Sequence, residues 1–574
     1  MMTSRSSELD LVLLWHMHQP DYRDYNTGEF MLPWVYLHAI KDYTDMAHHL
    51  EKHPGIRLVV NFVPVLLDQL EDYVDQFSSG ALRDPLLRLL ATPDFDRISP
   101  SERLLILNSC FLNNHDTMLK PYPCYQHLRD LYDHLQKMGD KELMYVSGQY
   151  LADLLVWYHL AWTGESVRRE HECIVNLMSQ GKLFSHGDRI LLFNLIGELI
   201  RDIIPRYRKL AESGQIELST TPHYHPLAPL LIDFTSARDS QPEVALPAHP
   251  VYPGGKKRVA FHLQSAINSH QARFGSAPSG VWPAEGAVSG PLLDILIEHE
   301  RQWCASGENV LANSLRKSYP EQPLPARNEY LYRPYRYGTE NSNILCFFRD
   351  DRLSDMIGFE YAKWFGHDAA GNLVQQLEQI HNEAGNNPAP IVSVILDGEN
   401  AWETYPYNGY YFLNDLYSML ENHPAIRTTT FHAYTTRLAE DKVEITRLPA
   451  LAAGSWVYGS FSTWIGDHDK NLAWELLCAA KHSYDLVMQS PRLTDEEKAA
   501  AEKQLASCES SDWFWWFGDY NSPHSVESFD LAFRKNLTNL YRLLKIPAPI
   551  TLLEPISRGG TSTGESGAMR HAAS

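Results

Sequence analysis

At 574 residues the chain has room for about four folding units of ~150 residues, or for one large barrel with insertions. Its 44% apolar and 21% charged content is globular and excludes a mostly disordered chain. The net charge of −21 excludes an overall positive field of the kind that holds nucleic acid or an anionic membrane surface.

In chain order, the first β-rich run is LVLLW at residues 11–15. It is too short for a signal segment and follows the acidic Glu8 and Asp10, and no window reaches 18 unbroken apolar residues. A cytoplasmic location is therefore expected. Six more runs follow: RLVVNF (57–62), QIELS (215–219), GVW (280–282), QWCAS (302–306), ILCFF (344–348) and IVSVIL (391–396). Several are continuously apolar, as strands buried on both faces are. Helical patterns separate them, at Val65–Tyr73, Pro291–Glu300 and Leu373–Glu383. Strand and helix in alternation predict a parallel α/β sheet, and seven strands suit a seven-stranded (β/α)7, incomplete TIM-like barrel.

Residues 75–212 are rich in helical periodicity and read as a helical insertion within a catalytic unit spanning 1–465. The Pro- and Gly-rich stretch 234–258 reads as a long ordered loop. From 466 to 556 the pattern is helical again, predicting a C-terminal helical domain. In it Thr494 and Glu497 form a capping-box signature, and a last amphipathic helix runs over about 526–544. The Gly/Ser/Thr-rich stretch 557–574 reads as a disordered tail. Seven cysteines, an odd number with no CxxC pair, argue against a disulfide framework and a thiolate zinc site.

Polar residues close the strand runs: His16 and His18, Asn61, Thr220 and Thr221, Glu285, Glu308, Arg349 to Asp351, and Asp397. In an α/β barrel the strand C-termini and their loops build the active face, so these residues converge on one cleft. Glu285 lies in GVWPAEGAVSG, among small residues and beside Trp282. That setting suits a nucleophile or acid/base, or else an acid at the N-terminus of the following helix. Asp397 ends the most apolar run and opens DGENAWE; it is a second strand-end carboxylate, or a helix cap. Two such carboxylates are what glycoside chemistry uses, one attacking while the other protonates the leaving oxygen. His16 and His18 share a face of an extended segment and could hold a metal or hydrogen-bond sugar hydroxyls. Glu217 alternates with Ile216 and Leu218, which points it into a barrel lumen or into an ion pair in the wall. His223 and His225 are further cleft candidates, and Arg349 could orient a carboxylate or join an ion-pair network. Trp456, Trp464, Trp513, Trp515 and Trp516 offer stacking faces for sugar rings or simply fill core. There is no GxxxxGK[ST] loop, HExxH helix or GxSxG elbow.

The segments HMHQP, GQIELSTTPHYHP, GVWPAEGAVS, ILDGENAWE and GSWVYGSFSTWIGDHDKNLAW, in this order, resemble the five motifs of glycoside hydrolase family 57. FRDDRLSDMIGFEY and SDWFWWFGDYNSPHS are similar to further segments of its amylopullulanase and α-amylase-like members, so the match spans roughly 11–545. One departure is WPAEG, which lacks the Cys that often follows the nucleophile and leaves the specificity class open. The resemblance implies a retaining hydrolase acting on α-glucans with no cofactor. Its substrate would be a polysaccharide or maltooligosaccharide, cut at α-1,4 linkages with α-1,6 linkages open. It implies Glu285 as nucleophile and Asp397 as acid/base. It also implies His16, His18 and Glu217 around the donor sugar, with Trp456, Trp464 and Asp467 holding neighbouring sugars, and Trp282 and Arg349 are further substrate-binding candidates. No nucleic acid or membrane partner is expected, and the oligomeric state is not legible. The alternatives are a glucan transferase on the same site, a metal-dependent hydrolase with His16, His18 and Asp397 as ligands, and a non-catalytic glucan-binding protein.

Overall fold

The computed structural model describes residues 8–385 and 387–560. Ten strands occur in it: β1 (Leu9–Met17), β2 (Leu58–Phe62), β3 (Ile216–Thr220), β4 (Gly280–Val281), β5 (Trp303–Gly307), β6 (Tyr335–Gly338), β7 (Asn343–Arg349), β8 (Ile391–Asp397), β9 (Ile426–Thr428) and β10 (Thr446–Arg447). β1, β2, β3, β4, β5, β7 and β8 pair in parallel in that order, and β8 returns to β1, closing a seven-stranded barrel. These staves are the seven β-rich runs of the sequence. The short strands outside the barrel were not expected from it: β6 is antiparallel to β7, β10 joins β6, and β9 extends the start of β1.

Alternation along each stave decides what faces inward. Val12, Leu14, Val59, Trp303, Ala305, Leu345, Phe347, Ile391 and Ile395 fill the lumen, while Leu11, Leu13, Trp15, Leu58 and Val60 pack outward into the larger core. The helix Phe431–Glu440 plugs the N-terminal mouth. Its Phe431 ring lies 4.6 Å from Trp303 and 4.4 Å from Phe347, and its Tyr434 hydroxyl donates to Ala389 just before β8. β4 has no room for a larger residue at Gly280, where a Cβ would stand 2.1 Å from the Trp303 indole. With the lower lumen filled mostly by apolar side chains, Glu217 being the exception, most polar ones are left at the opposite mouth.

Between β2 and β3, residues 75–212 are helical as expected, ending in the long helix His186–Glu212. The expected loop at 234–258 is shorter than its Pro and Gly content predicted. Phe234–Asp239 forms a 3-10 turn, and Gly255 already opens the helix Gly255–Phe274. Past residue 466 come the helices His468–Met488, Asp495–Cys508, Asp512–Trp516 and Pro523–Leu543, and the Thr494–Glu497 capping box forms. A buried ion network fastens these helices to the barrel. Glu509 accepts from Arg258 at 2.8 Å, from His262 at 2.7 Å and from Tyr252 at 2.6 Å. Of the expected tail, Ser557 and Gly560 are held by hydrogen bonds to Asp530 and Asn521, and 561–574 lie outside the described residues. Among the described residues no helix is long and apolar enough to cross a membrane.

Candidate active site

The C-terminal mouth of the barrel opens into a cavity of about 1020 Å³. Its walls come from three parts of the chain. The barrel ends contribute His16, His18, His225, Glu285, Arg349 and Asp397. The helical insertion contributes Asn113 to Thr117, and the C-terminal helices contribute Asp512, Trp515 and Trp516.

Glu285 is presented on a strained turn. It adopts φ +60° and ψ 22°, and Gly286 follows at φ +56°. A left-handed non-glycine residue costs on the order of 1 kcal/mol or more and needs surrounding bonds to hold it. Those bonds are present: Trp456 N–H donates to the Glu285 carbonyl at 3.1 Å, Ser306 Oγ donates to the Gly286 carbonyl at 2.6 Å, and Val288 and Gly454 bridge as antiparallel strands. The Glu285 carboxyl meets Trp456 Nε1 and Ser511 Oγ, each at 3.3 Å. Burial, reinforced by the charges of Asp512 and Asp397, pushes it well above the usual carboxylate range, and the two contacts oppose that rise.

Asp397 stands in register with His16 across the β1–β8 pair, with the Gly398 N–H donating to the His16 carbonyl at 2.7 Å. Its carboxyl accepts from Asn400 Nδ2 at 3.0 Å. Burial lifts it to about 6, against the pull of Asn400, His18 and Arg349.

Three histidines line the space between these acids. His16 Nδ1 donates to Asn61 Oδ1 at 2.7 Å, which leaves Nε2 to face His225 Nε2 at 3.2 Å. Burial, then the neighbouring His18, lowers His16 to about 3, so it is neutral. His18 Nε2 donates to Asp512 at 2.9 Å, its ring stacks on His225 at 3.7 Å, and its Nδ1 is buried without a partner. Ser511 Oγ lies 2.9 Å from His225 Nδ1, so one run of polar contacts leads from Asn61 through His16, His225 and Ser511 to Glu285.

Of the residues the sequence singled out, His16, His18, Glu285, Arg349, Asp397 and Trp456 meet in this cavity, and His225, Trp515 and Trp516 line it as well. Arg349 is spent on its own protein: it donates to the Ile395 carbonyl and to Asp351 and Asp355, with its guanidinium 5.3 Å above the Trp456 ring. Others do not line the cavity. Glu217 lies low in the lumen, accepting from Trp303 Nε1 at 2.7 Å and from the His432 N–H of the plugging helix at 2.9 Å. Trp282 is fully buried beneath Trp456, and Trp464 is fully buried against Trp515. Asp467 is exposed and caps the helix His468–Met488. His223 bonds Asp68 and Ser265 instead, and Trp513 is core. The sequence reading missed Asp512, whose only signal was its place at the head of the tryptophan cluster.

A glycosyl hydrolase family 57 model matches residues 12–448. The chain belongs to glycosyl hydrolase family 57. It is therefore an enzyme of the glycoside hydrolase or transferase kind. The fold is similar to a family 57 branching enzyme from Thermococcus kodakaraensis, with TM-score 0.57 at 15% identity over 96% of this chain and 93% of that one. It is also similar to the Pyrococcus horikoshii branching enzyme (0.55, 15%, 96% and 98%) and to the α-amylase AmyC of Thermotoga maritima (0.54, 13%, 94% and 93%). Among curated protein sequences none matches the chain.

Proposed function

We propose that this family 57 enzyme cleaves α-1,4 linkages of α-glucans with retention, by double displacement. The observation that carries the reading is the pair Glu285 and Asp397, two partly buried carboxyls that line one cavity beyond the ends of barrel strands, one held by Trp456 and Ser511 and the other by Asn400. Asp397, protonated below about 6, gives its proton to the glycosidic oxygen while Glu285 attacks the anomeric carbon. Ionised Asp397 then takes a proton from water, or from a second sugar hydroxyl, as that oxygen displaces Glu285. Retention needs carboxyls about 5–5.5 Å apart. Trp456 and Ser511 favour charge on Glu285, but burial with the charges of Asp512 and Asp397 outweighs them and raises it above Asp397, so the proposed double displacement requires the proton to pass to Asp397 when substrate fills the cavity. His18, His225 and Asp512 offer hydrogen bonds to the donor sugar, and Trp515 and Trp516 offer stacking faces to its neighbours.

Water as acceptor makes a hydrolase, and a sugar makes a transferase. The similar solved structures include two branching enzymes and an α-amylase, so both outcomes lie within the proposal, as does α-1,6 chemistry. We read 1–465 as the catalytic unit and 466–556 as the helical part that completes its cleft. All seven cysteines are free thiols, in keeping with a reducing cytoplasm.

The test is proton NMR of the products from amylose and pullulan, with Glu285→Gln and an EDTA-treated sample in parallel. Early α-anomer that survives EDTA and vanishes in the variant is the expected result. A metal-dependent reading has one observation in its favour: ligand-capable atoms of His18, His225 and Asp512 lie within 4.8 Å of one another. Loss of turnover in EDTA would favour it. The trio differs from the His16, His18 and Asp397 set of the alternative metal reading of the sequence.

A further inference from the structure

Beside the cleft the surface carries four large aromatic rings in water. Trp364 is 45% exposed, Phe365 84%, Tyr407 56% and Tyr411 45%. Single exposed rings need no explanation, but these lie on two adjoining segments. The turn at Phe365–Gly366 rests against Tyr411 and Phe412: a Cβ on Gly366 would stand 2.7 Å from the Phe412 nitrogen and 3.0 Å from the Tyr411 Cβ. Beneath them the Tyr361 ring contacts both Trp364 and Phe412, at 5.5 and 5.8 Å, and Tyr407 meets Tyr411 edge-on at 5.5 Å.

Both segments begin inside the cleft. Phe359, Ala362 and Lys363 line the cavity, and Trp364 is the next residue. Glu403 and Thr404 line it too, and Tyr407 follows three positions on. The strip is thus a continuation of the cleft rim.

Its rings are held in place. Tyr407 and Asn408 adopt left-handed φ of +56° and +55°, a conformation that side chains rarely take. Asn408 is pinned from below, accepting from buried Lys41 at 3.0 Å and donating to Asp45 at 2.8 Å. The Arg169 guanidinium sits 4.6–6.0 Å from the rings of Tyr407, Tyr410 and Tyr411, donates to the Tyr411 hydroxyl and is anchored by Glu165.

We infer that Trp364, Phe365, Tyr407 and Tyr411 form a second carbohydrate-binding surface, which takes a stretch of an α-glucan polymer whose neighbouring stretch occupies the cleft. The inference rests on the α-glucan reading above. Glucose rings present apolar C–H faces that stack on aromatic rings. The tyrosine hydroxyls and the polar edge of Arg169, His367 and Asp415 provide hydrogen bonds for sugar hydroxyls.

The test compares wild type with Trp364→Ala/Phe365→Ala/Tyr411→Ala, and with Phe365→Ala alone, whose exposed ring cannot be needed for folding. Initial rates are measured on amylose and on maltoheptaose, and mobility is measured in native gels containing amylose. The expected result is an amylose KM raised about tenfold with kcat kept, unchanged rates on maltoheptaose and weaker retardation, with the single variant in between. If the variants match wild type on amylose and in the gel, the surface is overturned. The same holds if light scattering shows a changed oligomeric state with retardation intact, which would assign the rings to a second copy. Should wild type turn over neither amylose nor maltoheptaose, the α-glucan reading itself falls and this surface with it.

Discussion

The proposed double displacement requires Glu285 ionised and Asp397 protonated; two donors on Glu285 against a single amide on Asp397 favour that order, while burial and the charges of Asp512 and Asp397, which raise Glu285, oppose it. On the proposed assignment Asp397→Asn removes the proton donor but not the nucleophile. Turnover of amylose should fall ~10²–10⁴-fold, while an aryl glycoside with a good leaving group should lose far less in the first step. Equal losses on both substrates would count against the assignment. The pH profile offers an independent check. Asp397 serves as acid only while protonated, so kcat/KM should decline as pH rises through about 6. Asp512 holds both carboxyls higher by its charge, so Asp512→Asn should move both limbs of the profile to lower pH, and limbs that stay put would exclude it as a partner. Glu285 and Asp397 were legible because small residues and a strand end frame each of them. Asp512 was not, since its partner His18 lies 494 positions away and nothing local marks the pairing.

Barrel staves are legible elements because burial on both faces leaves unbroken apolar runs, and all seven were found in the sequence. β6, β9 and β10 have two to four residues, too few to impose a period, whereas the equally short β4 was marked by the GVW run that continues past it. Period also explains why Glu217 was placed in the cleft: alternation gives the face of a strand but not the height within the barrel. Glu217 does point inward, yet it meets the plugging helix rather than the substrate mouth. The joint between the Gly255–Phe274 helix and the C-terminal helices was invisible for a different reason, since Arg258 and Glu509 lie 251 positions apart. Burial raises Glu509, but Arg258 and His262 outweigh it and hold the carboxyl at about 2, against its ordinary 4.5. A depressed folded value means that the stabilisation is present above about pH 4.5 and is lost as pH falls through about 2. Glu509→Gln leaves buried Arg258 with only the partly exposed Glu502, 3.4 Å away, as counter-charge and should cost about 3 kcal/mol at neutral pH, read from urea denaturation. A change near zero would show that the joint does not depend on the pair.

The barrel alone does not make the cleft. Its C-terminal mouth supplies Glu285, Asp397 and the histidines, but the groups that touch Glu285 and His18 from above, Ser511 and Asp512, arrive from beyond residue 500. They are held there by apolar packing as well as by Glu509. Trp474 stacks on Phe514 at 4.0 Å and meets Phe234 at 5.2 Å, and the backbone of Ser511 and Ser510 bonds to the loop carrying His225 and Pro226. His225 itself adopts φ +55°, a strained conformation that this bridge maintains. Ending the chain at residue 465 would therefore remove a wall of the site, uncover a large apolar face and release His225. Such a truncated chain should be devoid of α-glucan turnover and should bind a hydrophobic dye in solution, if it is recovered soluble at all. Wild-type activity from residues 1–465 would mean that the barrel carries a complete site, and would confine Ser511 and Asp512 to a supporting role. Asp512→Asn in the full chain separates these cases, because it alters the charge at His18 and Glu285 while leaving the apolar joint in place.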